Sequence, residues 1–259
     1  MFFRRFSKAA RPHSVPDGQR IYAIGDVHGR IDLLDILLAK ISDDDASRPA
    51  ASASLIFLGD LIDRGPASAE VVERVRGLCE GGIARLIKGN HEEAFIEACK
   101  GHARGARALI SIGGLPTIRS YGISEAEAKA GSFSDMAKLL ASQVPRSHID
   151  FLDSGEDQIR IGDYLFVHAG ICPGVPFDEQ VPDDLRWIRS EFLRSELDHG
   201  AMIVHGHTIT ETVDERPNRI GIDTGAFRTG VLTAMGLEKN QRWFLTATGD
   251  GDESLRTIL

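Results

Sequence analysis

Short apolar runs recur along the chain, and each breaks off at a glycine or at a polar, chemically capable residue. Ile21-Tyr22-Ala23-Ile24 runs into Gly25-Asp26-Val27-His28-Gly29. Leu55-Ile56-Phe57-Leu58-Gly59 runs into Asp60-Leu61-Ile62-Asp63-Arg64-Gly65, and Ile83-Ala84-Arg85-Leu86-Ile87 into Gly89-Asn90-His91-Glu92. Runs of this length between turn residues predict buried strands. After the first, Ile31, Leu33, Leu34, Leu37, Leu38 and Ile41 recur at helical spacing. The stretch from Ser42 to Ser54, acidic and then rich in Ala and Ser, reads as a surface loop. After the second strand, Pro66 suits the first turn of a helix reaching about Cys79. Strand, loop and helix in succession predict a layered α/β domain with polar residues gathered at one sheet edge.

From about Glu93 to Asp153 the character changes. Alanine and charged residues dominate, punctuated by glycines, and predict several short helices forming a small cap (about 93–153) beside the site. Strands return at Gln158-Ile159-Arg160-Ile161 and Tyr164-Leu165-Phe166-Val167, joined by a Gly162-Asp163 hairpin turn. A helix is expected over Leu185–Leu197 and a strand at Ala201–Val204, running into His205-Gly206-His207. Three short strands follow around 219–222, 231–234 and 243–245. The second half therefore reads as a β-rich sheet of its own. The fold class expected is α/β: a two-sheet β-sandwich flanked by helices, with the small helical cap.

Five strand ends thus deliver Asp26, His28, Asp60, Asn90, His168 and His207. An i, i+2 spacing in extended chain puts Asp26 and His28 on one side. With Asp60 they could hold one divalent cation, while Asn90, His168 and His207 hold a second and Asp60 bridges the two. Oxygen and imidazole donors suit manganese, iron or zinc better than calcium. Two such ions clamp a phosphoryl group and activate a water for direct in-line attack. Arg64 offers a bidentate fork to phosphoryl oxygens, and His91 a proton to the leaving group, with Asp63 fixing its tautomer. No serine or cysteine has the surroundings of a covalent nucleophile.

Composition narrows the field further. The 259 residues suffice for a sizeable core, and no apolar run is long enough for a membrane span. A net charge of −8 argues against a general nucleic-acid surface. Cys79, Cys99 and Cys172 lie far apart, as expected of reduced thiols in a cytoplasmic enzyme. Residues 1–17, with Arg4, Arg5, Lys8 and Arg11, read as a disordered basic leader ahead of one domain over 18–259. No stable membrane association is expected of it.

The motifs at Gly25–Gly29, Gly59–Gly65 and Gly89–Glu92 resemble the three signatures of the phosphoprotein phosphatase branch of the calcineurin-like metallophosphoesterase superfamily. Val167-His168-Ala169-Gly170-Ile171 and Gly206-His207-Thr208 resemble its later metal motifs, so the likeness spans about residues 20–237. It implies two divalent ions, with Asp26, His28 and Asp60 at the first and Asp60, Asn90, His168 and His207 at the second. It further implies His91 and Asp63 as the acid pair, with Arg64, Asn90 and Arg189 on the substrate phosphate. Ile209 replaces the last histidine of the Gly-His-x-His motif seen in many diesterases, which favours the phosphatase branch. The eukaryotic Asn-Tyr-Cys loop is absent, and Asp223-Thr224-Gly225 stands near its place. Trp187 reads as core, His205 as a strand residue rather than a ligand, and His13, His102, His148 and His199 as surface. The cap offers only Phe95, Tyr121, Phe133 and Phe151 for stacking a nucleobase. A Ser/Thr phosphoprotein phosphatase, acting on a phosphoprotein or phosphopeptide, is therefore expected ahead of a symmetric dinucleoside polyphosphate hydrolase with the same motifs.

Overall fold

A computed structural model describes residues 13–250. The first half alternates strands and helices: β1 (Gln19–Ile24), α1 (Ile31–Ala46), β2 (Ser52–Phe57), α2 (Ser68–Glu80), β3 (Ala84–Leu86) and α3 (Asn90–Cys99). Five more helices follow, α4 (Ala103–Ser111), α5 (Leu115–Ser120), α6 (Glu125–Lys129), α7 (Phe133–Gln143) and α8 (Arg146–Asp153). The remainder is β4 (Gln158–Ile161), β5 (Tyr164–Val167), α9 (Pro182–Trp187), α10 (Ser190–Leu193), β6 (Met202–His205), β7 (Asp214–Glu215), β8 (Arg219–Gly221), α11 (Ala226–Thr229), β9 (Val231–Glu238) and β10 (Gln241–Thr248).

Two mixed five-stranded sheets result, in the orders β10-β9-β1-β2-β3 and β4-β5-β6-β8-β7. The period of two along β1 explains how they stack. Tyr22 and Ile24 point into an apolar cluster with Leu33, Leu34 and Leu37 of α1 and Val71 and Val75 of α2. Ile21 and Ala23 point the other way, onto Tyr164, Phe166, Met202 and Val204 of the second sheet. The outer face of that sheet, Leu165, Val167 and Ile203, is covered by Leu185 and Phe192. The protein is therefore an α/β sandwich of two sheets flanked by helices. The buried faces of α3–α8 join the same apolar cluster as α1 and α2, so the helical stretch is continuous with the core.

Several expectations are corrected. The last two strands do not extend the second sheet: β9 pairs antiparallel with β1, and β10 with β9. The loop expected at 42–54 shrinks, because α1 runs on to Ala46. Its acidic end is neutralised by two arginines: Arg48, just past the helix end, grips Asp44, and buried Arg20 of β1 grips Asp45. The helix expected over 185–197 is two short helices broken at Ile188-Arg189. At the N-terminus Val15 is buried and donates to the Lys239 carbonyl at 2.9 Å, so residues before Gln19 already pack. Residues 1–12 of the expected leader lie outside the described residues. No helix among the described residues is long and apolar enough to cross a membrane.

Candidate metal centre

The site is built from backbone outward. Loops following β1 and β2 are laced together: Val27 and His28 donate N–H to the Asp60 carbonyl at 3.1 and 2.9 Å, and Gly29 donates to Leu61 at 2.8 Å. His28, Asp60, Asp63, Arg64 and His207 all have φ between 47° and 72°. Left-handed backbone at non-glycine residues costs on the order of 1–3 kcal/mol each and persists only where surroundings enforce it. That curl, not an extended i, i+2 register, is what turns His28 into the site. A side chain at Gly89 is excluded, since its Cβ would stand 2.2 Å from Asp60 Oδ1.

Asp60 sits at the centre. Its Oδ2 lies 3.8 Å from His28 Nε2 and 3.7 Å from His91 Nε2, and its Oδ1 lies 3.4 Å from His168 Nε2. Two donor groups share it, His28–Asp60–His91 and Asp60–His168–His207, each with ligand atoms within 4.8 Å of one another. Asn90 Oδ1 lies 3.0 Å from His168 Nε2. Asp26 is buried beside them, its two oxygens accepting the His207 N–H at 3.2 and 3.0 Å. Carbonyls fix two tautomers: His28 Nδ1–H donates to Ile62 and His168 Nδ1–H to Leu58, each at 2.7 Å. Their Nε2 atoms are thereby turned toward Asp60.

The charges are set by burial and by one another. Burial, then Arg64 and His91, hold His28 well below the ordinary histidine range. Burial, then His168, likewise lowers His207. Burial pulls His168 and His91 down as well, but both end raised, His168 through the charge and hydrogen bond of Asp60 with Glu92 behind, His91 through Asp60 and Asp63 together. Asp60 itself would be raised by burial, yet His168 and His91 drive it well below the usual carboxylate value. Burial raises Asp26, with Asp223 and Asp60 adding to it, and pushes Asp223 to about 6.

Around this centre lie the other expected residues. Asp63 Oδ2 meets His91 Nδ1 at 2.6 Å. Arg64 Nη1 stands 3.2 Å from His28 Nε2 and Nη2 3.1 Å from His91 Nε2. Arg189 is exposed and reaches Thr208 Oγ1 at 3.4 Å, one residue from His207. Two expectations fail here. Trp187 is 41% exposed, not core. His148 is buried, accepting from Tyr121 Oη at 2.9 Å and donating to Glu73 at 3.0 Å, because α5, α8 and α2 meet there.

Four residues went unread. Glu92, wholly buried, accepts the backbone N–H groups of Asp60, Leu61 and Gly89 at 2.7, 2.8 and 2.9 Å. Burial and Asp60 raise its carboxyl to about 6. Its place three residues after the helix-capping Gly89 was the available signal. Thr117 donates to Asp63 Oδ1 at 2.6 Å, and both its oxygen and Ser68 Oγ accept the Asp63 N–H. The Phe227 ring lies 4.6 Å below the Arg64 guanidinium and edge-on to His28. Nothing local to Thr117, Ser68 or Phe227 announces these contacts.

The donor set fits divalent cations. His207 Nε2 is buried with no hydrogen-bond partner, its own pKa lowered by burial, near the Asp60 carboxylate, whose pKa is held well below the usual range. Neutral nitrogens and ionised oxygens are the forms a metal takes.

Comparison with known proteins identifies the family. The chain belongs to the calcineurin-like phosphoesterase family, whose model matches residues 19–226; it is a metallophosphoesterase, a hydrolase. Over 231 residues it is 27% identical to an asymmetrical bis(5'-nucleosyl)-tetraphosphatase of Bacillus velezensis, covering 81% of this chain and 86% of the other. A symmetrical bis(5'-nucleosyl)-tetraphosphatase of Ralstonia nicotianae is 40% identical over 80 residues, 31% of this chain and 25% of that protein. A solved structure provisionally assigned as a diadenosine tetraphosphatase superposes with TM-score 0.63 at 21% identity, covering 93% of this chain and 100% of that one. At that identity the last likeness is one of fold alone.

Proposed function

We propose that this enzyme hydrolyses the phosphoanhydride chain of dinucleoside polyphosphates. The observation that carries the chemistry is the position of Asp60, whose two oxygens face different imidazole groups. Asp26, His28 and Asp60 would hold one divalent cation, and Asp60, Asn90, His168 and His207 the other, with manganese, iron or zinc suited to the donors. Bound there, the pair supplies charge for the phosphoryl oxygens and an activated water at neutral pH. Arg64 and Arg189 orient the phosphoryl group, with Asn90 beside them. His91, fixed by Asp63, delivers the proton to the departing oxygen.

The substrate reading reverses the order reached from sequence. The relative matched along most of the chain is named for dinucleoside tetraphosphates, not phosphoproteins. The poverty of aromatics in the helical stretch also loses its force, because Trp187 and Phe227 stand exposed or half-exposed outside it.

The test is a comparison of kcat/KM on diadenosine tetraphosphate and on a panel of phosphoserine and phosphothreonine peptides, with Asp60→Asn protein as blank. A clear preference for the dinucleotide is expected. Two ADP per turnover would define symmetrical cleavage, ATP plus AMP asymmetrical cleavage. A preference for the peptides would overturn the reading and restore the phosphoprotein phosphatase.

A further inference from the structure

We propose that the cleft between α3, α4 and α9 seats one nucleoside of the substrate, with the Trp187 indole as the platform for its base. The proposal rests on the dinucleoside polyphosphate reading and adds where the nucleoside lies.

The cleft is a cavity of about 640 Å³ whose lining includes Glu93, Glu97, Arg104, Asp183 and Trp187. That volume is in the range of small-molecule sites. Trp187 is one of few large apolar side chains left exposed among the described residues, at 41%. Its ring is nevertheless fixed. The indole N–H donates to Glu93 Oε2 at 2.8 Å, and Arg186 holds the other Glu93 oxygen at 3.0 Å. A ring clamped at its polar edge while bordering open space is a preorganised stacking surface. Part of the lining is small, Ala94 on α3 with Gly105 and Ala108 on α4. Gly105 is packed so tightly on α3 that a Cβ would stand 2.4 Å from the Ala98 nitrogen, which keeps that wall flat.

The cleft adjoins the metal centre through two elements. Helix α3 begins with Asn90 and His91 and carries Glu93 and Glu97 in its next turns. Glu97 is roughly 9 Å further along the axis than His91, a gap that a short phosphate chain spans. On the other side Trp187 is two residues before Arg189, which reaches Thr208 beside His207.

Charge sets the direction in which a ligand lies. Of the lining carboxylates, Glu93 is held by Arg186 and Trp187 and Glu97 by Lys100 and His102, while Asp183 makes no ion pair among the described residues. Arg104 is its one lining cation and makes no ion pair among the described residues. The carboxylate oxygens of this lining can receive N–H donors, such as the exocyclic amine of a purine. Phosphates belong at the Arg64 and Arg189 end and the base at the Trp187 end. A lysine of a phosphopeptide would satisfy the carboxylates too, but would leave the planar platform unused.

Two measurements decide the matter. The first is tryptophan fluorescence of the manganese-loaded enzyme titrated with AMP and, separately, with ribose 5-phosphate, which lacks the base. Saturable quenching by AMP alone is expected, and its loss in Trp187→Phe, where Trp243 remains. The second is the ratio of kcat/KM on diadenosine tetraphosphate to that on p-nitrophenyl phosphate. Trp187→Leu should lower this ratio about tenfold or more, through KM, as loss of a stacked base does. An unchanged ratio, equal responses to AMP and ribose 5-phosphate, or quenching only by a lysine-bearing phosphopeptide would overturn the subsite. Base-dependent quenching in an enzyme that leaves dinucleotides intact would keep the subsite and remove the proposed reaction. Dinucleotide cleavage without such quenching would do the reverse.

Discussion

The Glu92 carboxylate accepts the backbone N–H of Asp60 at 2.7 Å, thirty-two residues away in sequence and one turn into a different element. With the Leu61 and Gly89 N–H groups on the same carboxylate, Glu92 ties the left-handed turn at Asp60 to the start of α3. Glutamine in its place would turn an amide N–H₂ toward donors that need an acceptor. Glu92→Gln should therefore weaken metal binding about 10–100-fold, as loss of a group supporting a ligand does, and destabilise the fold by about 1–3 kcal/mol. Calorimetric manganese titration and thermal unfolding read both. Wild-type values for each would mean that the turn holds without Glu92.

Among the described residues, Asp60 is the one carboxylate shared by both candidate donor groups. Asp60→Asn should lose both ions together rather than one, and activity with them, while the sheets remain folded. Metal analysis after gel filtration and circular dichroism would check this. One ion retained per chain would show that the two sets are independent.

The buried titrating groups give the centre a defined pH response. His168 is raised above its ordinary 6.5, because Asp60, with Glu92 behind it, outweighs burial. Its contribution to the metal-free fold is complete below that value and is lost as pH rises through the raised one. Glu92 and Asp223, each pushed to about 6 chiefly by burial, act in the same sense: burial penalises their charged forms, so stability is lost as pH rises through the raised values. A cation that displaces the His168 proton reverses this loss. The gain in melting temperature on adding manganese should grow between about pH 6 and pH 8, with protons released on binding. A gain that shrinks over that interval would contradict the assignment.

What the sequence revealed and what it hid divide along a physical line. Each ligand follows an apolar run, so strand and turn chemistry made Asp26, Asp60, Asn90, His168 and His207 visible one segment at a time. Long-range pairing has no such local mark. β9 and β10 read as part of the second sheet because the edge of β1 on which β9 pairs, with β10 beyond it, is over 200 residues away in sequence. Asp44 and Asp45 read as loop although Arg48 stands four residues after Asp44, because Arg20 and Tyr22, which also hold them, come from another element. Trp187 read as core because its pattern is amphipathic, whereas the helix ends beneath it and leaves the ring beside a cavity. Thr117 was silent for the same reason: its partner, Asp63, lies 54 residues earlier.

That Thr117 contact extends the acid pair into a chain of three. Thr117 Oγ1 donates to Asp63 Oδ1 at 2.6 Å, and Asp63 Oδ2 meets His91 Nδ1 at 2.6 Å, so α5 fixes the orientation of the imidazole. A proton donor matters most when the departing oxygen is a poor leaving group. His91→Asn should keep its metal yet lose about a hundredfold or more in kcat on alkyl phosphates. Its loss should be much smaller on p-nitrophenyl phosphate, whose leaving group needs no proton. Thr117→Val should show the same tilt, weaker by about tenfold, because Asp63 keeps its carboxylate but loses the hydroxyl that aims it. Plotting log kcat against leaving-group pKa for wild type and both variants separates the roles. Steeper slopes in both variants are expected. Parallel lines for His91→Asn would remove it as the proton donor, and a wild-type slope for Thr117→Val would confine that residue to packing.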